Sequence, residues 1–191
     1  NITGTTSFEA FADCDVVIEA IVENVQAKQL AYSAVEQVVP AHAILLSNTS
    51  SICITELAAA TRRPEKFAGL HFFSPVPLMK LVEVIRALPT SDDTYRAVVA
   101  FATSIGKEPI TAPDRPGFIV NRLLVPYLLD AARLECRPHA AAVHAQLSGK
   151  PAELRKVIER GASAGLVHGQ QIHQVNVSRV VAADVVVVTE V

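Results

Sequence analysis

The 191-residue sequence has few cysteines and no long apolar segment. Cys14, Cys53 and Cys136 show neither C-x-x-C nor zinc-type spacing, and such an odd, scattered set indicates reduced thiols in an intracellular protein. No apolar run reaches about 18 residues, which predicts that the chain has no transmembrane helix. The sequence also does not begin with the basic and apolar pattern of a signal peptide. We therefore expect an intracellular protein without a membrane partner.

An excess of charge of one sign is missing as well. The formal net charge is −2 and the isoelectric point is about 6.3. Proteins that bind nucleic acids or anionic membranes without specificity carry a marked positive excess. This composition therefore predicts no nucleic-acid partner.

A third absence concerns phosphate binding. The sequence contains no G-x-G-x-x-G, the turn that presents backbone N–H groups and a helix N-terminus to the pyrophosphate of a dinucleotide. A complete phosphate-binding turn of that kind is thus excluded within these 191 residues.

The sequence does contain a regular alternation of apolar strand-like runs and helical segments. Half of the residues are apolar and 19% are charged, enough for a sizeable core. This alternation is typical of an α/β protein with a doubly wound parallel sheet, which binds ligands at the carboxyl ends of its strands. We predict strands at residues 15–20, 43–47, 67–73, 81–86 and 107–112, and helices at 23–39, 54–60 and 92–105.

The segment Pro113-Asp-Arg-Pro116 interrupts the alternation, and we place a domain boundary there. Residues 1–112 form the first predicted domain and residues 113–191 a mainly helical C-terminal region. Residues 118–134 have helical periodicity, with Pro126 inside the helix. A helix is predicted at 151–160, and the valine-rich stretch 177–189 reads as a strand.

A histidine and a glutamate stand twelve residues apart, each within an apolar run: His71 and Glu83. This spacing suggests two neighbouring buried strands, on which the carboxylate orients the imidazole and stabilises its protonated form. Such a pair is a general base that works near neutral pH. A lone histidine on an apolar strand is more often a satisfied core residue, but Glu83 favours the catalytic interpretation.

Four sequence strings stand in a fixed order: SNTSS at 47–51, HFFSP at 71–75, KLVEV at 80–84 and PGFIVNR at 116–122. With these strings the chain, from about residue 13 to 134, resembles the L-3-hydroxyacyl-CoA dehydrogenase family. The resemblance implies the second half of a Rossmann-type sheet followed by a mainly helical C-terminal region. It also implies a homodimer in the intact protein, and a cytoplasmic location or, in a eukaryote, the mitochondrial matrix.

The resemblance further implies NAD-dependent oxidation of (S)-3-hydroxyacyl-CoA to 3-oxoacyl-CoA, in the β-oxidation of fatty acids. His71 would take the proton of the 3-hydroxyl while hydride passes to the nicotinamide, and Glu83 would orient His71. Ser50 and Asn121 would bind the acyl-CoA substrate, although either residue could instead cap a helix. The positions implied for cofactor binding are Ala20, Glu23, Lys28 and Asn48, and no metal is implied.

Two departures from the family limit this interpretation. Without G-x-G-x-x-G we expect the chain alone to bind NAD weakly or not at all, and the strand at 15–20 to have an open edge. After about residue 135 the sequence does not align with the family. A non-catalytic interaction or structural protein is therefore one alternative. A hydrolase with Ser50, His71 and Glu83 as its triad is another, although no G-x-S-x-G surrounds Ser50.

Overall fold

The computed structural model describes residues 4–135 and 185–188. The chain divides into two compact units. The first comprises Asn1–Ile119 together with Gln174–Val191, and the second is Val120–His173. In the second unit the described part is the helix α4 (Val120–Glu135), which has Pro126 in its interior.

The first unit contains a six-stranded sheet, with strand order β5-β4-β3-β2-β1-β6. The predicted Rossmann-type α/β sheet is confirmed, and all its described pairings are parallel except one, because β3 and β4 run antiparallel. The β3–β4 pair is the one departure from the predicted parallel sheet among the described strands. Only eight residues connect β3 to β4, whereas a parallel crossover needs a dozen or more. The strands are β1 (Val16–Glu19), β2 (Ile44–Ser47), β3 (Phe67–Phe72), β4 (Leu81–Ile85), β5 (Glu108–Ala112) and β6 (Val185–Val188).

Three helices of the first unit connect the strands: α1 (Val25–Val35), α2 (Ile54–Ala58) and α3 (Asp92–Ser104). The predicted limits of α3 have clear local causes. The Ser91 side chain accepts a hydrogen bond from the Thr94 N–H, and Gly106 adopts a φ of 78° just beyond the helix. Short 3₁₀ turns lie at Phe8–Phe11 and Pro64–Lys66. No described helix is long and apolar enough to span a membrane.

The core lies on both faces of the sheet, since every residue of β1 and of β3 is buried. Tyr32 and Phe67 pack edge to face on one side, with a ring-centroid distance of 4.8 Å. Val98 and Ala102 of α3 cover the other side. This double coverage explains why the strands appear in the sequence as nearly continuous apolar runs.

Gly69 in β3 marks a point of close packing between the sheet and α2. A Cβ atom at this position would lie 2.9 Å from Ile54 Cδ1 and 2.9 Å from Ile85 Cβ. We expect Gly69→Ala to lower the free energy of unfolding by about 1–3 kcal/mol, because both the helix and β4 would have to shift. Urea denaturation measures this change. Gly4→Ala is the control, since no atom lies within 4 Å of its added Cβ, and an equal loss in both variants would contradict the prediction.

The strand β6 pairs in parallel with β1, with Val16 opposite Val185 and Glu19 opposite Val188. The predicted open edge of β1 is therefore wrong, because a later segment of the same chain occupies it. Four residues of the predicted helical C-terminal region thus belong to the sheet, as β-branched valines favour extended backbone. The other residues of the predicted strand at 177–189 lie outside the described residues. The predicted helix at 151–160 does so as well.

Candidate active site

His71 and Glu83 face each other across the antiparallel pair β3–β4, in direct register. His71 Nδ1 lies 2.7 Å from Glu83 Oε2, and the two residues are 4% and 0% exposed. The second carboxylate oxygen, Oε1, accepts the N–H of Ile119 at 2.9 Å. Both oxygens of Glu83 are therefore engaged, and the carboxylate is held in place as a fixed acceptor for the imidazole N–H.

Two aromatic rings flank the His71 imidazole. The ring centroids of Phe73 and Phe118 lie 4.7 Å and 5.5 Å from it, at tilted angles. Phe118 is buried and has a φ of 47°, a left-handed conformation that is rare for a bulky residue. The aromatic contacts fix the plane of the imidazole, whose Nε2 edge is not used by Glu83.

Ser50 reaches that edge from the loop that follows β2. Its Oγ lies 3.2 Å from His71 Nε2, so Ser50, His71 and Glu83 form a continuous hydrogen-bonded line. With the Glu83 carboxylate accepting from Nδ1–H, the neutral ring presents Nε2 as the acceptor. The structure thus brings together three of the four residues predicted for catalysis and substrate binding. Asn121 lies in the first turn of α4, in the second unit.

Glu23 organises the loop that carries Ser50. Its Oε1 accepts hydrogen bonds from the Thr49 hydroxyl (2.6 Å), the Ser50 N–H (3.1 Å), the Ser51 N–H (3.1 Å) and the Ser51 hydroxyl (2.9 Å). Burial acts to raise the pKa of Glu23, but these bonds and the positive charge of Lys28 together lower it below its usual value. No sequence pattern predicted this contact, because 26 to 28 residues separate the partners.

Lys28 is buried, with its Nζ 2.5 Å from Glu19 Oε1 and 3.6 Å from Glu23 Oε2. The Glu19 carboxylate also accepts from the hydroxyls of Tyr32 (3.1 Å) and Ser47 (2.8 Å) and from the Ile21 N–H (2.7 Å). Burial and the nearby Glu19 charge raise the pKa of Tyr32 well above its usual value, so its hydroxyl remains a donor. Sequence reasoning missed Glu19, which resembles any polar end of a strand.

The remaining predicted cofactor positions lie at the same edge of the sheet. The side-chain oxygen of Asn48, just after β2, accepts the Phe72 N–H at 2.9 Å and so connects the ends of β2 and β3. Ala20 directly follows β1 and is half-buried. Ala20 and Asn48 lie at the carboxyl ends of β1 and β2, Glu23 in the loop between β1 and α1, and Lys28 in the first turn of α1. This is the edge where an α/β sheet binds its ligands.

Comparison with known proteins identifies the family to which this fold belongs. The sequence model of a family described as "3-hydroxyacyl-CoA dehydrogenase, NAD binding domain" matches residues 1–115. The chain belongs to this family. The mitochondrial hydroxyacyl-coenzyme A dehydrogenase of Mus musculus is 49% identical over 139 residues, which are 73% of this chain and 44% of that protein. The chain thus spans less than half the length of this relative.

Two further relatives agree with the family assignment. The fatty acid oxidation complex subunit alpha of Idiomarina loihiensis is 55% identical over 128 residues, 67% of this chain and 18% of that protein. The crystal structure of (S)-3-hydroxybutyryl-CoA dehydrogenase PaaH1 from Ralstonia eutropha superposes with a TM-score of 0.65 at 48% sequence identity. That superposition covers 67% of this chain and 45% of the solved chain.

The residues at this edge suit part of the cofactor named in the family description. The partly exposed Glu23 carboxylate can accept hydrogen bonds from ribose hydroxyls. The pyrophosphate needs cations or free backbone N–H groups, yet Lys28 is already paired with Glu19 and the N–H groups of residues 50 and 51 are bound to Glu23. Among the described residues, these groups therefore offer an acceptor for ribose hydroxyls but no free donor for the phosphates. The same residues contain no cluster of three or more His, Cys, Asp or Glu that could hold a metal ion.

The lowered pKa of Glu23 gives a testable pH dependence. A carboxylate whose folded-state pKa lies below its unfolded value of about 4.5 contributes its full stabilisation above that pH. This contribution disappears as the pH falls through the lower, folded-state pKa. We expect Glu23→Gln to have a shallower decline of Tm below pH 4.5 than the unchanged chain, measured by circular dichroism. Parallel Tm curves for the two proteins between about pH 3 and 6 would contradict the assignment.

Proposed function

We propose that this chain carries the acid–base site of an NAD-dependent 3-hydroxyacyl-CoA dehydrogenase, which oxidises (S)-3-hydroxyacyl-CoA to 3-oxoacyl-CoA in fatty acid oxidation. The observation that carries the proposal is the hydrogen-bonded line Ser50–His71–Glu83 at the carboxyl end of the sheet. The family assignment indicates which reaction these residues catalyse. Oxidation of an alcohol requires a base for the hydroxyl proton, and a histidine beside a hydroxyl-binding serine meets that requirement.

In this proposal His71 Nε2 is the proton acceptor. Ser50 Oγ lies 3.2 Å from Nε2, so a substrate hydroxyl placed beside Ser50 comes within hydrogen-bond reach of the base. Glu83 keeps the Nδ1–H oriented and stabilises the positive charge that the ring gains with the proton. NAD supplies the hydride acceptor for C3 when it is bound. The protein's own contribution is to hold the substrate oxygen and the base in one geometry, which can account for much of a rate enhancement.

The substrate class in this proposal is a CoA thioester, with Ser50 and Asn121 as its binding residues. Glu23, Lys28, Asn48 and Ala20 contribute to the cofactor side, Lys28 by holding the two carboxylates. A homodimer is part of the same proposal. It is supported by a set of apolar side chains that are exposed on α4: Leu123, Leu124, Val125, Tyr127, Leu128 and Leu129.

The proposed function is tested by following the absorbance of NADH with the purified chain and acetoacetyl-CoA, the reverse reaction. Consumption of NADH that depends on both the thioester and His71 would support the proposal. Calorimetry with NADH on the same preparation separates chemistry from binding, and we expect a Kd weaker than micromolar in the absence of a G-x-G-x-x-G turn. Tight binding without turnover would contradict the catalytic proposal.

One observation favours a second reaction class. The same three residues have the order of contacts of a hydrolase triad, in which a serine donates to a histidine that is oriented by a carboxylate. The family assignment and the lack of a nucleophile elbow both argue against it. Covalent labelling of Ser50 by a fluorophosphonate would be the result that supports hydrolysis over oxidation.

A non-catalytic interaction protein is the remaining alternative, based on the exposed apolar side chains of α4. Size-exclusion chromatography with light scattering tests it. A clean monomer would count against both this alternative and the homodimer, whereas defined assembly without NADH turnover would favour the non-catalytic role.

A further inference from the structure

We propose that Asp114 is a positioning residue for the His71–Glu83 pair, through a clamp between α2 and the segment 114–119. The proposal rests on the proposed function, since it concerns the geometry of the same base. It starts from Asp114, a residue of the Pro-rich boundary segment to which the sequence assigned no role. The clamp consists of Asp114 and the residues of 53–55 that bind it.

The Asp114 carboxylate is fully engaged by three consecutive residues at the start of α2. Oδ1 accepts the Ile54 N–H at 2.7 Å. Oδ2 accepts the Thr55 N–H at 2.7 Å, the Thr55 hydroxyl at 2.5 Å and the Cys53 thiol at 3.2 Å. The residue before α2 provides no side-chain cap for the helix, so a carboxylate about 60 positions later in the chain performs that role.

Thr55 extends this clamp to the end of β4. Its Oγ1 donates to Asp114 and accepts the Leu88 N–H at 3.0 Å. The clamp therefore connects α2, the turn after β4 and the segment after β5. These elements surround the strand pair that bears the acid–base residues.

Four residues after Asp114, the same segment reaches that pair. The turn is closed by a hydrogen bond from the Phe118 N–H to the Arg115 carbonyl, at 2.8 Å. Gly117 and Phe118 both have positive φ values, 77° and 47°. The turn places the Phe118 ring beside the His71 imidazole and directs the Ile119 N–H to Glu83 Oε1.

The left-handed Phe118 explains why a clamp is needed. A bulky residue at positive φ is held at a cost in free energy and persists only when its surroundings fix it. Asp114 fixes one end of the segment on α2, and the contacts with His71 and Glu83 fix the other. Loss of the first attachment allows the turn to relax, and the hydrogen bond from Ile119 to Glu83 then opens more often.

Asp114→Asn tests the proposal, because the amide keeps the shape but places N–H groups against N–H and O–H donors. Two NMR readouts on the 191-residue chain need neither substrate nor turnover: the exchange rate of the Ile119 amide, and the downfield proton between His71 Nδ1 and Glu83. We expect Ile119 exchange to rise by about tenfold or more, and the downfield signal to broaden or shift. Asp93→Asn, in the first turn of α3, is the matched control and should change neither readout.

The proposal is overturned if amide exchange becomes faster at Ile54 and Thr55 while Ile119 exchange and the downfield proton stay unchanged. Asp114 would then only cap α2. Unchanged exchange everywhere would overturn it too.

If Asp114→Asn does not fold, Thr55→Val removes one donor of the clamp and Thr55→Ser keeps it. Acceleration at Ile119 in the valine variant alone supports the clamp, and equal rates in both variants overturn it. These readouts stay informative even if the chain proves inactive as a dehydrogenase.

Discussion

His71→Ala is expected to lower NADH-dependent reduction of acetoacetyl-CoA by about 10²–10⁴-fold, the usual contribution of a positioned general acid–base group. In the proposed mechanism the imidazole Nε2, which lies 3.2 Å from Ser50 Oγ, accepts the proton of a hydroxyl placed beside Ser50. Its removal leaves Ser50 and the hydride chemistry of the cofactor in place but provides nothing to transfer the proton. Initial rates from NADH absorbance at saturating substrate measure the loss directly.

His42→Ala is the matched control for this experiment. His42 is exposed and paired with Asp15 at 2.8 Å, on the loop that precedes β2. Its loss should leave the rate unchanged within error. Turnover that survives in the His71 variant, or falls equally in the His42 variant, would rule out His71 as the base. Glu83→Gln tests the charge of Glu83 separately from its hydrogen bond. The amide can still accept from Nδ1–H but carries no charge to stabilise an imidazolium.

Lys28→Met is expected to lower the free energy of unfolding by about 3–5 kcal/mol, as is usual when one partner of a buried ion pair is removed. The Lys28 side chain is 1% exposed, and its ammonium lies 2.5 Å from a Glu19 carboxylate that is equally inaccessible. Methionine fills a similar volume but leaves the Glu19 charge without its counter-ion. Urea denaturation followed by circular dichroism gives the difference in unfolding free energy.

Lys80→Met provides the comparison on the surface. Lys80 and Glu108 are both exposed and lie 3.9 Å apart, so their separation should change stability by about 0.5 kcal/mol or less. A double variant with Glu19→Gln and Lys28→Met should recover part of the loss, because it removes the isolated charge. Equal losses in Lys28→Met and Lys80→Met would show that the buried pair is not the source of the stability.

Lys28 illustrates how a functional assignment and a structural role can share one residue. The family resemblance implied a cofactor-binding lysine, and a lysine on a helix is commonly a solvated one. The structure places its ammonium 2.5 Å from Glu19 Oε1 and 3.6 Å from Glu23 Oε2, the residue that binds the loop carrying Ser50. Removal of this lysine is thus expected to affect both fold stability and the geometry of the site.

The sequence by itself determined the strands β1–β5, the caps of α3 and the proximity of His71 and Glu83, the proposed acid–base pair. Buried strands produce continuous apolar runs, and a cap needs only a few neighbouring residues, so both signals are local. The separation of twelve residues between His71 and Glu83 was also sufficient to predict neighbouring strands, because a short connection leaves few alternatives. The sequence pattern did not predict their antiparallel direction, which the same short connection imposes.

Only the tertiary structure decided which side chains hold this pair in place. The contacts of Glu23 with residues 49–51, of Asp114 with residues 53–55 and of Ile119 with Glu83 join partners 26 to 61 positions apart. The pairing of β6 with β1 spans a longer distance still. No periodicity or local propensity records such contacts, since a carboxylate in a loop has the same sequence signature whether it is solvated or buried. They exist because folding removes these groups from water, and each buried donor and acceptor must then find a partner within the protein.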